Sequence, residues 1–387
     1  MKKPQNGKLI LLASMLLMVV LGSVHAFSVF LGPLETRFEA SRSVVSLTYS
    51  FALVTLTAIV LFGHRLYGLL KPVWFMSGVC ILAAIGTFVA ASANQLLVVW
   101  IGYSLLFGAA NGLGYGYALQ ISAQANPNKK GLAMGLVTAS YALGAAVSPW
   151  PLNEALTQFG LGAAMAGLGI AALLIMPIII AAYYFGNAHL ELPKTDKTDQ
   201  NNEQNTGAII LLWLAYGSAV TAGLMAIGHA TGIAQEGGVS VELILAAPIV
   251  LAIFNMTGSF LGGWMADRFS TRLVMTVLPL VSAISLFSLS QFAVGSSILA
   301  GLAATGFVYG AIIAVYPTVI NQRFGAVDGI KVYGKIFTAW GFAGLFGPWL
   351  AGRLYDQYTD YNTALLVAAA AGLLSAVIAF FSFKPNN

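Results

Sequence analysis

Apolar runs of about 20 residues recur along the whole chain, and a helix of that length crosses about 30 Å of hydrocarbon. Measured this way, the sequence predicts spans at 9–33, 42–63, 72–93, 96–124, 131–153 and 162–185. Six more follow at 208–232, 241–264, 272–292, 296–320, 333–353 and 361–383. Only 8% of the residues are charged and 58% are hydrophobic, whereas a soluble domain carries about 25% charged residues. Lipid is the solvent such a chain fits. It admits helices or closed barrels, because every backbone amide must find its partner inside the protein. Barrel strands alternate apolar and polar residues, and these runs do not. The expected fold class is an all-α polytopic membrane protein with twelve transmembrane helices.

The long polar stretch 186–206 falls midway and has little to bury. It divides the chain into a six-helix bundle at 1–185, a cytoplasmic linker at 186–206 and a second six-helix bundle at 207–387. With both termini cytoplasmic, 15 of the 18 Lys and Arg residues fall inside and only Arg37, Arg42 and Arg353 fall outside. Positive charge accumulates on cytoplasmic loops, so this orientation is expected, in an inner membrane. The apolar stretch Leu9–Leu34 is longer than the roughly 7–15 residues of a signal core, so it reads as an uncleaved first helix.

Several function classes drop out. The pI near 9.2 comes from basic groups scattered between apolar runs, which does not suit a nucleic-acid surface. The single cysteine, Cys80, and the four histidines, His25, His64, His189 and His229, lack metal-ligand spacing, so neither metal nor cofactor is expected. The run Gly329–Lys335 matches G-x-x-x-x-G-K, but Ile336 follows where a phosphate loop needs Ser or Thr. With no catalytic constellation in view, an enzyme is not expected.

The halves echo one another. Gly112-Leu113-Gly114-Tyr115-Gly116 in the fourth span is matched by Gly306-Phe307-Val308-Tyr309-Gly310 in the tenth. Small residues at such spacing let helix backbones approach closely in lipid. A duplicated half is also how many transporters place a site between repeats. Packing alone and a substrate site are both open readings of these residues.

Between the eighth and ninth spans, Gly263-Trp264-Met265-Ala266-Asp267-Arg268-Phe269-Ser270-Thr271-Arg272 resembles the G-x-x-x-D-R-x-G-R-R loop of the major facilitator superfamily, with Ser270 in place of the second Gly. The matching first-half loop, Gly63 to Lys71, has no Asp. Phe254–Ser259, Tyr333–Gly341, Gly347–Asp356 and Lys130–Gly135 resemble the oxalate:formate antiporter and monocarboxylate-transporter branch of that superfamily. The resemblance implies the major facilitator fold and a conformational latch at Gly263, Asp267, Arg268 and Arg272. It also implies a monocarboxylate-like substrate. Carriers of this branch commonly place Arg where this chain has Ser259, and the oxalate carriers place Lys where it has Trp340.

Depth supplies the remaining candidates. At 1.5 Å per residue, positions ten or eleven residues into a span lie near the bilayer midplane. They are Asn111, Tyr115, Tyr141, Asn255, Ser259, Tyr309 and Trp340, with His25 nearer the outside. This set is polar and aromatic without fixed charge. His25 reads equally as a proton carrier, since histidine titrates near pH 6.5, and as a structural histidine. Glu35, Glu154, Glu236 and Asp356, near the outer ends, either face water or pair with Arg37 or Arg353.

The expected function is secondary active transport of a small organic, monocarboxylate-like solute by alternating access, as a monomer in the lipid bilayer with proton coupling open. One alternative is transport or export of a neutral, zwitterionic or amphipathic compound, which the uncharged midplane favours. Another is a membrane sensor that does not transport.

Overall fold

The computed structural model describes residues 4–191, 206–292 and 294–382. The helical runs are α1 (Gly7–Phe38), α2 (Arg42–Phe62), α3 (Pro72–Ala91), α4 (Leu96–Ala125), α5 (Lys130–Val147) and α6 (Pro149–Phe185). After the midpoint come α7 (Thr206–Glu236), α8 (Ala246–Arg268), α9 (Thr271–Gln291), α10 (Ser297–Tyr358) and α11 (Asn362–Ser382).

Two of these boundaries hide reversals. The apolar stretch Leu132–Phe185 breaks at Gly160, whose φ of 85° and ψ of 177° only glycine adopts readily. The fifth crossing therefore ends at Phe159, and the rest of α6 makes the sixth. α10 counts 62 residues, yet Trp340 hydrogen-bonds to Tyr309, 31 positions earlier. In a straight helix those residues stand about 46 Å apart, so α10 folds into two antiparallel arms. Ten stretches of the described residues are long and apolar enough to span a membrane. Dividing Leu132–Phe185 and adding the second arm of α10 gives twelve crossings, an even number that puts the start of α1 and the end of α11 on one face, here called the terminal face.

Within each crossing the core-facing side chains follow helical periodicity. Ile10, Ala13, Ser14, Leu17, Met18 and Leu21 are buried along α1, and Val332, Ile336, Ala339, Trp340 and Ala343 along the second arm of α10. Large apolar side chains such as Leu12, Ile85, Leu174 and Phe260 project outward, where lipid solvates them.

One matched pair of the repeated glycines, Gly112 and Gly306, does the same work in each half. A methyl on Gly108 or Gly112 of α4 would meet the backbone carbonyls of Ala52 or Leu56 on α2. A methyl on Gly306 or Gly310 of α10 would strike those of Leu251 or Asn255 on α8. In both halves, then, the first glycine of the repeat seats one crossing against another at backbone contact, whereas Gly116 faces the Tyr67 hydroxyl where Gly310 meets a carbonyl. Across the halves, α2 packs on the second arm of α10, α5 on α8, and the C-terminal end of α7 on α1. The segment 192–205, which holds most of the expected linker, lies outside the described residues.

Candidate functional site

α1 changes character halfway. Residues Gly22–Phe30 form a 3-10 stretch between two α-helical segments. Gly22 sits against the backbone carbonyl of Tyr141 on α5, and Gly144 on α5 sits against that of Val19. This crossing holds α1 and α5 together where the helix tightens, and it presents His25 to the interior.

There the halves enclose a cavity of about 60 Å³. That is room for a few water-sized groups. Its wall is built from both halves. His25 comes from α1, Leu56 from α2, Tyr115 from α4, and Thr138, Tyr141 and Ala142 from α5. Asn255 and Ser259 come from α8, Tyr309 and Ile313 from the first arm of α10, and Phe337 and Trp340 from its second arm. This lining holds no Asp, Glu, Lys or Arg among the described residues.

Hydrogen bonds hold most of the polar wall in place. His25 Nδ1 and Tyr49 Oη are 2.5 Å apart, and the His25 ring meets Tyr141 edge to face at 5.4 Å. Tyr141 donates to Asn111 Oδ1 at 2.8 Å, Trp340 Nε1 donates to Tyr309 Oη at 2.9 Å, and Ser259 Oγ donates to the Gly310 carbonyl at 3.2 Å. Phe337 stacks on Trp340 with ring centroids 5.6 Å apart. Asn255, 8% exposed, lines the cavity, and none of these hydrogen bonds engages its side chain. Such a wall offers neutral donors and acceptors and aromatic faces, which suit a solute with one polar group and an apolar body.

Seven of the eight midplane candidates thus stand around one cavity. Asn111 does not line it. Wholly buried, it donates to the Phe107 carbonyl of its own helix at 3.0 Å and receives Tyr141 from behind. Counting residues along a span does not give a residue's direction around the helix, and Asn111 points away from the cavity. Thr138 and Phe337 were missed, although each lies three residues before a chosen aromatic, the spacing that puts side chains on one helix face.

The latch candidates sit at the turn from α8 to α9. Arg268 lies 5.8 Å from the Trp264 ring and Arg272 lies 4.0 Å from the Phe380 ring. A methyl on Gly263 would meet nothing within 4 Å. Ser270, where the superfamily pattern has Gly, is the N-cap of α9 and accepts from the Leu273 N–H at 3.4 Å. The Asp267 side chain lies outside the described residues, and so does that of His64.

At the far face, opposite the termini, the acidic residues have specific partners. Glu35 binds the Arg42 guanidinium through both oxygens, at 2.5 and 2.9 Å, rather than Arg37 or Arg353. Arg37 donates instead to the Ala93 carbonyl at 3.0 Å. Asp356 crosses between halves and accepts from the backbone N–H groups of Arg42 and Ser43 at 2.9 and 3.0 Å, satisfying the N-terminus of α2. Glu236 receives Tyr355 at 2.9 Å, and Glu154 bonds Gln158.

Comparison with known proteins agrees with this architecture. The family model of the Major Facilitator Superfamily matches residues 208–387. The chain is 26% identical over 350 residues to the uncharacterized MFS-type transporter YhjX of Escherichia coli (strain K12), covering 87% of this chain and 85% of that one. It is 24% identical over 405 residues to the oxalate:formate antiporter of Oxalobacter formigenes, covering 98% and 94%. Among solved structures, a peptide transporter in complex with alafosfalin superposes with a TM-score of 0.78 at 10% identity, covering 98% of this chain and 94% of that one. Residues 208–387 match the Major Facilitator Superfamily, and nearly the whole chain shares the fold of the solved peptide transporter.

Proposed function

We propose that the protein carries a small monocarboxylate-like organic solute by alternating access between two bodies, residues 1–185 and 207–387, joined by the linker 186–206. The observation that carries this reading is the cavity shared by both halves, with neutral polar groups set among aromatic rings. The likeness to the oxalate:formate antiporter favours a carboxylate. The uncharged wall then favours a monoanion accompanied by a proton over a dianion, because no described cation in the wall offsets a bare carboxylate. His25 and Asn255 are the wall groups suited to meet the headgroup. The orientation proposed is an inner membrane with the termini cytoplasmic, so a cysteine in the linker should escape impermeant label in intact cells.

The uncharged lining also supports a second reading, a neutral, zwitterionic or amphipathic solute. Competition between a matched acid and its amide in proteoliposomes separates the two. The lead reading expects the acid to compete better as external pH falls. Equal competition by the amide at every pH replaces it with the second. Ser259→Arg should increase monocarboxylate affinity several-fold, since a cation opposite a carboxylate forms a charge-assisted bond that serine lacks.

A further inference from the structure

His229 is wholly buried where crossings from both halves meet: α7, which carries it, the second arm of α10, the residue preceding α11, and α2. Chemistry fixes the hydrogen-bond roles there. The Pro348 carbonyl can only accept, so His229 Nε2, 2.8 Å away, carries the hydrogen, with Ser46 Oγ also near at 3.3 Å. The Arg42 guanidinium can only donate, and its Nη1 stands 3.0 Å from Tyr361 Oη. Tyr361 therefore receives from Arg42 and gives its own hydrogen to His229 Nδ1 at 2.8 Å. The chain from Arg42 through Tyr361 and His229 to Pro348 joins the halves, and these roles hold only while the imidazole is neutral.

We propose that His229 is a proton-binding site whose occupation releases the closure at the far face. Once protonated, Nδ1 becomes a donor. Tyr361 then loses the acceptor for its hydrogen, and two cations confront each other across one hydroxyl in a water-poor interface. The other ionisable groups nearby are already engaged. Glu35 holds the Arg42 guanidinium, Asp356 takes the backbone N–H groups of Arg42 and Ser43, Tyr355 gives its hydrogen to Glu236, and Tyr49 is bonded to His25. Parting of the halves lets water solvate the imidazolium, so the parted state holds the proton more tightly. By linkage, acid then shifts the population toward that state. His25 differs: its Tyr49 bond stays within the first half, so protonating it breaks no hydrogen bond between halves.

An acid-opened far face is one of the two access states in the transport reading, on which this inference rests, but its test needs no substrate. The full chain, with Cys80 replaced by serine, is spin-labelled at the exposed positions Thr36 and Gln357, one in each half, and placed in lipid nanodiscs. Distance distributions are compared at about pH 8 and about pH 5, on either side of the ordinary histidine midpoint. Acid should increase the longer-distance population several-fold. His229→Gln, whose amide can donate to Pro348 and accept from Tyr361 but cannot take up a proton, should give the pH 8 distribution at both pH values. An acid-independent wild type, or an equal acid response in His229→Gln, overturns the proposal. If that variant does not fold, Tyr361→Phe serves, and it should already be parted at pH 8; a Tyr361→Phe protein closed at pH 8 overturns it equally. Acid opening without flux of any solute would remove the transport reading and leave the proton site standing. Flux without acid opening would do the reverse.

Discussion

Asn111 shows how a residue can govern a cavity it does not touch. Its carboxamide holds the Tyr141 hydroxyl, and Tyr141 forms the wall against His25. Asn111→Leu should destabilise the protein by about 1 kcal/mol, the usual size of a side-chain hydrogen bond between membrane helices. It should also weaken substrate binding by freeing Tyr141, and thermal unfolding with uptake kinetics would check both effects. An unchanged midpoint with unchanged uptake would show that Tyr141 is held by packing alone. The residue-level reading of the sequence reached the cavity because polarity is scarce in this chain, so a polar residue at mid-depth is informative. It did not reach the Glu35–Arg42 pair or the role of Asp356. Those partners lie on different crossings, and which charges meet at a helix end depends on how the crossings are rotated and tilted, which sequence spacing does not record.

At the scale of elements, the glycine repeat sets how close two helices come. A valine at Gly258 would press its side chain into the backbone carbonyl of Phe307, a group that cannot turn aside as a side chain would. Gly258→Val should therefore cost about 1–3 kcal/mol or more, read as a lowered unfolding temperature and loss of monodisperse protein. Gly135→Ala, with nothing within 4 Å of the added methyl, should be neutral or stabilising by up to about 1 kcal/mol, because alanine favours the helix. Similar midpoints for the two variants would mean that the α8–α10 crossing relaxes freely. The crossings were legible in hydrophobic run length, which is a property of single helices. The 3-10 stretch at Gly22–Phe30 was not, since the close approach of α5 accompanies it and leaves no local pattern beyond one glycine.

For the whole molecule, the consequence lies in how far the halves can be displaced. The candidate latch loop joins α8 to α9 at the terminal face, and the Arg42–Asp356 contact closes the opposite face. Asp267→Asn should slow transport several-fold or bias the resting state while leaving insertion and yield unchanged. Flux measurements paired with the Thr36–Gln357 distance would detect either effect, and wild-type behaviour in both would reduce the loop to a topology signal.

The repeated glycines and the cavity residues sit on the same helices but do different work. Gly310 seats α10 against α8, while its neighbour Tyr309 lines the cavity. Drift at the aromatic and amide positions can therefore proceed without disturbing the joints, one half at a time. A lineage built on such a frame can change diet faster than it changes shape, which makes the cavity lining a better guide to a relative's cargo than overall resemblance.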